Sequence, residues 1–192
     1  MVNKTYVPEG EAALASQIGA TMEALAATIA ARRNADEASY TYRLLTGNVD
    51  SVLKKVMEES GEVALAAKDV EGWATSTFAA AVALEASGAE VSVASAADAG
   101  GDPAAVSAGA DAAAADDAAS DVLSVQLPVE YGQAVDHLRY EAADVVYHLL
   151  VVLERYGITL DEFAAELNMR MTEAERPAGA VRLHEEFVRR GK

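Results

Sequence analysis

The chain has 192 residues, with 31 acidic side chains against 15 basic ones, for a formal charge of −16. Such a field repels nucleic acid and anionic membranes, which argues against both as partners, and it repels a polyphosphate unless metal ions intervene. The lack of cysteine excludes disulfides and thiolate metal sites, and the longest apolar run, Val145 to Leu153, is too short to cross a bilayer.

Glu9 and Glu11 stand where a signal segment would need apolar residues, so a soluble, cytoplasmic protein is expected. Lysine is scarce, with only Lys4, Lys54, Lys55, Lys68 and Lys192, while alanine and acids abound. That balance is the one adaptation to high salt produces, where screening is short and a charged surface keeps the protein solvated.

Residues 1–10 read as a frayed start. From Glu11 to Arg33, Leu14, Ile18, Met22, Leu25 and Ile29 recur at threes and fours, the pattern of an amphipathic helix. Arg32 and Arg33 suit its last turn, where cations oppose the helix dipole. Asn34 to Gly47 reads as a connector. Asn48 is a candidate cap for a second helix running to about Asp69. Gly61 lies inside it, at a cost of about 1 kcal/mol relative to Ala, and would allow a close approach by another helix or a ligand.

Between Lys68 and Arg139 there is no Lys or Arg, while twelve acids occur. Trp73 to Ala86 can extend the helix as an alanine-rich segment. From about Ser87 to Ser124 the chain is Ala, Gly, Ser and Asp with Pro103, too poor in large apolar side chains to offset its conformational entropy. This reads as an insert over 73–128, largely disordered or loosely helical.

Order returns at Val129. Asp136 to Tyr156 forms a strongly apolar third helix stopped by Gly157, and Thr159-Leu160-Asp161-Glu162 is a capping-box match opening a fourth. Pro177 ends any continuation, and a tail over 176–192 has the makings of a short amphipathic helix with Leu183, Phe187 and Val188. No period-2 run of useful length appears. The expected fold is all-α, a four-helix bundle built from 11–70 and 129–175 as one domain, interrupted by the insert. Because the third helix is apolar on nearly every side, a homodimer is expected to cover it.

The chemistry concentrates at Lys54-Lys55-Val56-Met57-Glu58-Glu59-Ser60-Gly61-Glu62. At ~100° per residue, Glu58, Glu59 and Glu62 share roughly 100° of arc beside the stripe of Val52, Val56, Val63 and Ala67. Like charges at the edge of a core are costly unless neutralised. Glu141 and Asp144, one turn apart on the third helix, form a second acidic pair, with His148 one turn further on. If the second and third helices pack antiparallel, the two groups face one another. Carboxylate oxygens without thiolates select Mg²⁺ or Mn²⁺. In so acidic a chain the plain alternative is a solvated acidic face, with His148 a satisfied core histidine. A Gly-rich phosphate loop is absent, which speaks against a Walker-type NTPase.

Glu-Glu-x-x-Glu followed downstream by Glu-x-x-Asp resembles the motif pair of the all-α, MazG-like nucleotide pyrophosphohydrolases. Ser39-Tyr40-Thr41 with Leu44-Leu45, Lys54 through Val63, Ala66-Ala67-Lys68, Tyr140-Glu141-Ala142-Ala143-Asp144 and Tyr147-His148-Leu149-Leu150 resemble more narrowly the phosphoribosyl-ATP pyrophosphohydrolases. The resemblance covers roughly residues 20–70 and 134–168. Two departures stand out: relatives join the second and third helices by a short turn, and many have Gly-Glu-Glu where this chain has Met57-Glu58-Glu59.

The resemblance implies Mg²⁺-dependent hydrolysis of phosphoribosyl-ATP to phosphoribosyl-AMP and pyrophosphate, the second step of histidine biosynthesis. It implies Glu59, Glu62, Glu141 and Asp144 as metal ligands, with Glu58 and Glu59 as the catalytic pair and Glu58 orienting water. Lys54, Lys55 and Arg43 are then candidates for phosphate contact, and Tyr40 either stacks on a base or packs. Two other readings remain open: a house-cleaning dNTP pyrophosphatase sharing the site, and a non-catalytic helical dimerisation module.

Overall fold

A computed structural model describes residues 16–88, 90–94 and 122–184. Five α-helices carry the fold: α1 (Ile18–Ala31), α2 (Tyr40–Thr46), α3 (Val49–Ala86), α4 (Val129–Arg155) and α5 (Leu160–Asn168), with a 3-10 turn at Arg32–Asn34 closing α1. The fold is helical, as expected. The expected frayed start at 1–10 lies outside the described residues, as does the tail from 185 on; Val181 to His184, which are described, form no helix.

The local signals act where the sequence places them. The Asn48 side-chain oxygen accepts from the Asp50 amide at 2.9 Å, capping α3. Thr159 and Glu162 form a reciprocal capping box at the start of α5. Gly157 takes φ +70°, the left-handed conformation, and its amide donates to the Glu154 carbonyl while Ile158 donates to that of Leu153. These paired bonds are the Schellman closure of α4.

The connector read over 34–47 contains a helix that periodicity did not reveal. Seven residues are too few to show a repeat, and α2 persists because its ends are held from outside. The Ser39 hydroxyl accepts from the Tyr42 amide. At the other end, the Arg155 guanidinium donates to the carbonyls of Leu44, Leu45 and Gly47 at 2.7, 2.9 and 2.7 Å. A cation on the last carbonyls of a helix satisfies orphan acceptors and opposes the dipole.

The chain divides into two compact units whose limits fall inside α3 and α4. One comprises residues 14–60 and 142–192, the other 1–13 and 61–141. The first is built on Ile29, Leu44, Leu45, Val52, Leu150, Val151 and Leu153, flanked by half-buried Met22, Leu25, Val146, Tyr147 and Phe163. Each large side chain so buried contributes about 1.5–3 kcal/mol. In the second unit the described buried positions other than Glu141 are small: Ala66, Thr77, Ala81 and Ala134.

In the second unit the segment 73–86 is regular helix, the last part of α3, extending it as the alanine-rich sequence allows; the strands that follow were not expected. Beyond it, β1 (Glu90–Ala94) pairs in parallel with β2 (Val122–Gln126), Glu90 opposite Val122 and Ala94 opposite Gln126. Glu-Val-Ser-Val-Ala does alternate, but over five residues inside an alanine-rich tract the signal is slight. Residues 95–121 lie outside the described residues.

Nor does anything crowd Gly61: a Cβ there would meet nothing within 4 Å. Gly61→Ala should therefore raise stability by about 1 kcal/mol, the helix-interior difference between the two residues. Gly157→Ala, forced into the left-handed region, should lower it by about 1–2 kcal/mol. Chemical denaturation of both variants checks the opposite signs.

Candidate active site

On α3 the buried positions Val52, Glu59 and Ala66 recur every seven residues, so they lie nearly in line along the helix. Glu59 thus sits within the buried stripe, 5% exposed, while Glu58 and Glu62 are exposed, both to the same side of it. On α4 the same spacing lines up Ala134, Glu141 and His148, all buried. Asp144, half-buried, lies one turn from both Glu141 and His148. One carboxylate oxygen each from Glu59, Glu141 and Asp144 can be chosen so that all three lie within 4.8 Å of one another.

Three acids at that spacing, two of them buried, repel unless cations attend them. Lys55, one turn before Glu59, donates to Glu59 Oε1 at 3.1 Å and pairs with Glu58 Oε2 at 3.2 Å. Its hydrogen bond to Glu59, seconded by Glu58, holds the ammonium protonated well above the usual lysine range. His137 Nε2 lies 2.9 Å from Glu141 Oε1, across one helical turn. The three oxygens offer a hard, anionic donor set with neither sulfur nor imidazole, which fits Mg²⁺ or Mn²⁺.

Tyr40, the first residue of α2, brings its hydroxyl to 3.1 Å from His148 Nε2, with the two rings edge-on at 89°. Burial raises the Tyr40 pKa above the usual phenol value; the Lys55 charge opposes the shift, and Tyr147, Glu59 and Asp144 reinforce it. Next to it, Thr41 Oγ1 and the Tyr147 hydroxyl share a 2.7 Å hydrogen bond. Both bonds tie the start of α2 to α4. His148 Nδ1 is 2.9 Å from the Asp144 carbonyl oxygen and 4.0 Å from Glu59 Oε1. The alternative of a satisfied core histidine describes its bonding.

The structure thus assembles Glu59, Glu141, Asp144, Lys55 and Tyr40 from the residues singled out in the sequence. Glu62 stands one turn further along α3 and outside the group of three. Lys54 is exposed, as expected for the neighbour of a lysine that faces the acids. Arg43 is engaged elsewhere: its Nη1 donates to the carbonyls of Glu37 and Ala38 at 2.8 and 3.0 Å, bracing the turn before α2. His137 escaped the sequence reading, although its position four residues before Glu141 was a legible signal.

A separate groove of about 660 Å³ lies between α5 and residues 181–184, lined by Leu153, Ile158, Phe163, Leu183 and their neighbours. Arg182, at its edge, pairs with Glu173. None of the acids above lines it.

Comparison with known proteins places the chain in a family. The family model described as phosphoribosyl-ATP pyrophosphohydrolase matches residues 22–171. The chain is 29% identical over 150 residues to a phosphoribosyl-ATP pyrophosphatase of Limosilactobacillus fermentum, covering 78% of this chain and 82% of that one. A protein of the same name from Dechloromonas aromatica is 25% identical over 147 residues, covering 76% and 78%. The one from Methylibium petroleiphilum reaches 52% over a shorter stretch of 50 residues, covering 26% and 42%. No solved structure matches. The carboxylate group and the match over residues 22–171 lead to one conclusion: the chain belongs to the phosphoribosyl-ATP pyrophosphohydrolase family.

Proposed function

We propose that this chain hydrolyses phosphoribosyl-ATP between its α and β phosphates, yielding phosphoribosyl-AMP and pyrophosphate, with Mg²⁺ held by its acidic residues. The observation that carries the reading is the convergence of Glu59, Glu141 and Asp144, in a chain whose family match spans both helices that supply them. Bound there, the metal supplies charge neutralisation for the phosphates and a lowered pKa for an attacking water.

The chain's own residues have separate tasks. Glu59, Glu141 and Asp144 hold the ion, and Glu62 joins them from the next turn of α3. Glu58, exposed beside Lys55, takes the water-orienting role, with Glu59 as its partner in catalysis. Lys55 is the cation nearest the acids, the better placed of the two lysines to meet a phosphate oxygen, with Lys54 toward solvent. Arg43 is assigned phosphate contact only at the cost of its two carbonyl bonds, so its weight in binding is small. Tyr40 contacts the substrate from the start of α2.

The protein works in the cytoplasm, as a homodimer, without nucleic acid or membrane as partner. Among the described residues no helix is long and apolar enough to cross a membrane. Support for the dimer comes from large apolar side chains left exposed in the single chain, among them Met57, Leu65 and Phe78. Light scattering should return twice the chain mass; a monomer at micromolar concentration would sink the dimer. Composition supports a salt-rich setting, and thermal stability should rise between 0.1 and 2 M KCl as screening relieves the −16 charge.

Two variants test the site. Glu59→Gln and Asp144→Asn should each lower kcat/KM by about 10²–10³, the cost of removing one preorganised charged group. Mg²⁺ at about 100 times its dissociation constant should stabilise the wild type by about 2.7 kcal/mol and each variant far less. Pyrophosphate release from phosphoribosyl-ATP, measured beside a panel of dNTPs, decides the substrate. Preference for any dNTP would favour the house-cleaning activity, and no turnover at all the dimerisation module.

A further inference from the structure

His148 is buried beside the acids, yet both of its ring nitrogens are committed. Nδ1 faces the Asp144 carbonyl oxygen at 2.9 Å, and a carbonyl can only accept. Nδ1 therefore carries a proton, which it also turns toward Glu59 Oε1 at 4.0 Å. In the neutral imidazole this leaves Nε2 with a lone pair, and Nε2 is the atom 3.1 Å from the Tyr40 hydroxyl. The phenol must then be the donor. The ring is fixed in this sense from two sides, with Tyr147 edge-on at 5.1 Å and Tyr40 edge-on at 6.2 Å.

A phenol has one proton. Once that proton is engaged in a hydrogen bond to His148, the Tyr40 oxygen offers its neighbours lone pairs alone. Phosphate oxygens, which also only accept, gain nothing from it; a hydroxyl group does. Tyr40 as a residue is 44% exposed, so it stands at the edge of the fold rather than sealed within it. We propose that His148 is a positioning residue that accepts a hydrogen bond from the Tyr40 hydroxyl and thereby presents the Tyr40 oxygen as a hydrogen-bond acceptor for a sugar hydroxyl of the substrate. The sugar assignment rests on the phosphoribosyl-ATP reading; the His148–Tyr40 pairing does not.

The pairing is read first without substrate, from the imidazole ¹⁵N resonances of the full-length protein at neutral pH. The neutral tautomer protonated on Nδ1 is expected, with an Nε2 resonance that moves in Tyr40→Phe. A proton on Nε2, or no response to Tyr40→Phe, overturns the proposal. Kinetics then test the consequence. Tyr40→Phe should raise KM for phosphoribosyl-ATP roughly threefold to tenfold, one hydrogen bond's worth, with kcat nearly unchanged.

His148→Asn keeps an amide donor near the Asp144 carbonyl but has no atom at the Nε2 position, so it should raise KM as Tyr40→Phe does. His148→Gln, whose amide oxygen reaches the Nε2 position, should restore it. The Tyr40→Phe and His148→Asn effects should not add in the double variant. Additive effects, or a normal KM in folded His148→Asn, overturn the positioning role. Should the wild type fail to hydrolyse phosphoribosyl-ATP, the sugar assignment falls with that reading, while the tautomer measurement still decides the pairing.

Discussion

The structure turns on the placement of acids where apolar side chains would ordinarily go. Glu59 occupies the position between Val52 and Ala66 in a seven-residue stripe, and Glu141 the one between Ala134 and His148. A buried carboxylate forfeits hydration, and several together add mutual repulsion, so the arrangement is sustainable only with cations at hand. Lys55 partly serves, reaching Glu59 across one helical turn, and the His137 ring stands against Glu141 at the same spacing. A divalent ion would serve more completely, since a carboxylate cluster of this size concentrates a charge that one ammonium does not balance.

Around this centre the small helix α2 is the piece that needs the most outside help. It is too short to be stable alone, and its contacts are distributed over its length: Tyr40 and Thr41 bond to His148 and Tyr147, Leu44 and Leu45 enter the core, and Arg155 takes the terminal carbonyls. All of those partners outside the core reside on α4. The helix that carries Asp144 therefore also fixes the segment that carries Tyr40.

The sequence made the helical architecture readable because α1, α4 and α5 show either clear period or clear caps. Asn48, Gly157 and the Thr159 box act by local chemistry, which needs no knowledge of the rest of the fold. The acid motif was likewise legible, whereas which of Lys54 and Lys55 faces the acids was not. What stayed hidden depended on partners distant in sequence. Nothing local in Ser39 to Gly47 announces that Arg155, over a hundred residues on, will close the helix. The burial of Glu59 rather than Glu58 follows from which line of α3 meets the core, and spacing alone leaves that open within one residue. Arg43 shows the converse: a cation well placed in sequence for phosphate is drawn into bracing the chain beside it.

The parallel sense of β1 and β2 constrains how this protein could be shortened. Antiparallel strands can be joined by two residues, but parallel ones need a connection that returns along the whole strand, ~17 Å for five residues at ~3.3 Å each. A compact turn grafted directly from Ala94 to Val122 is therefore incompatible with the observed register. Replacing residues 95–121 by a tight turn would therefore cost this chain the β1–β2 ladder as well.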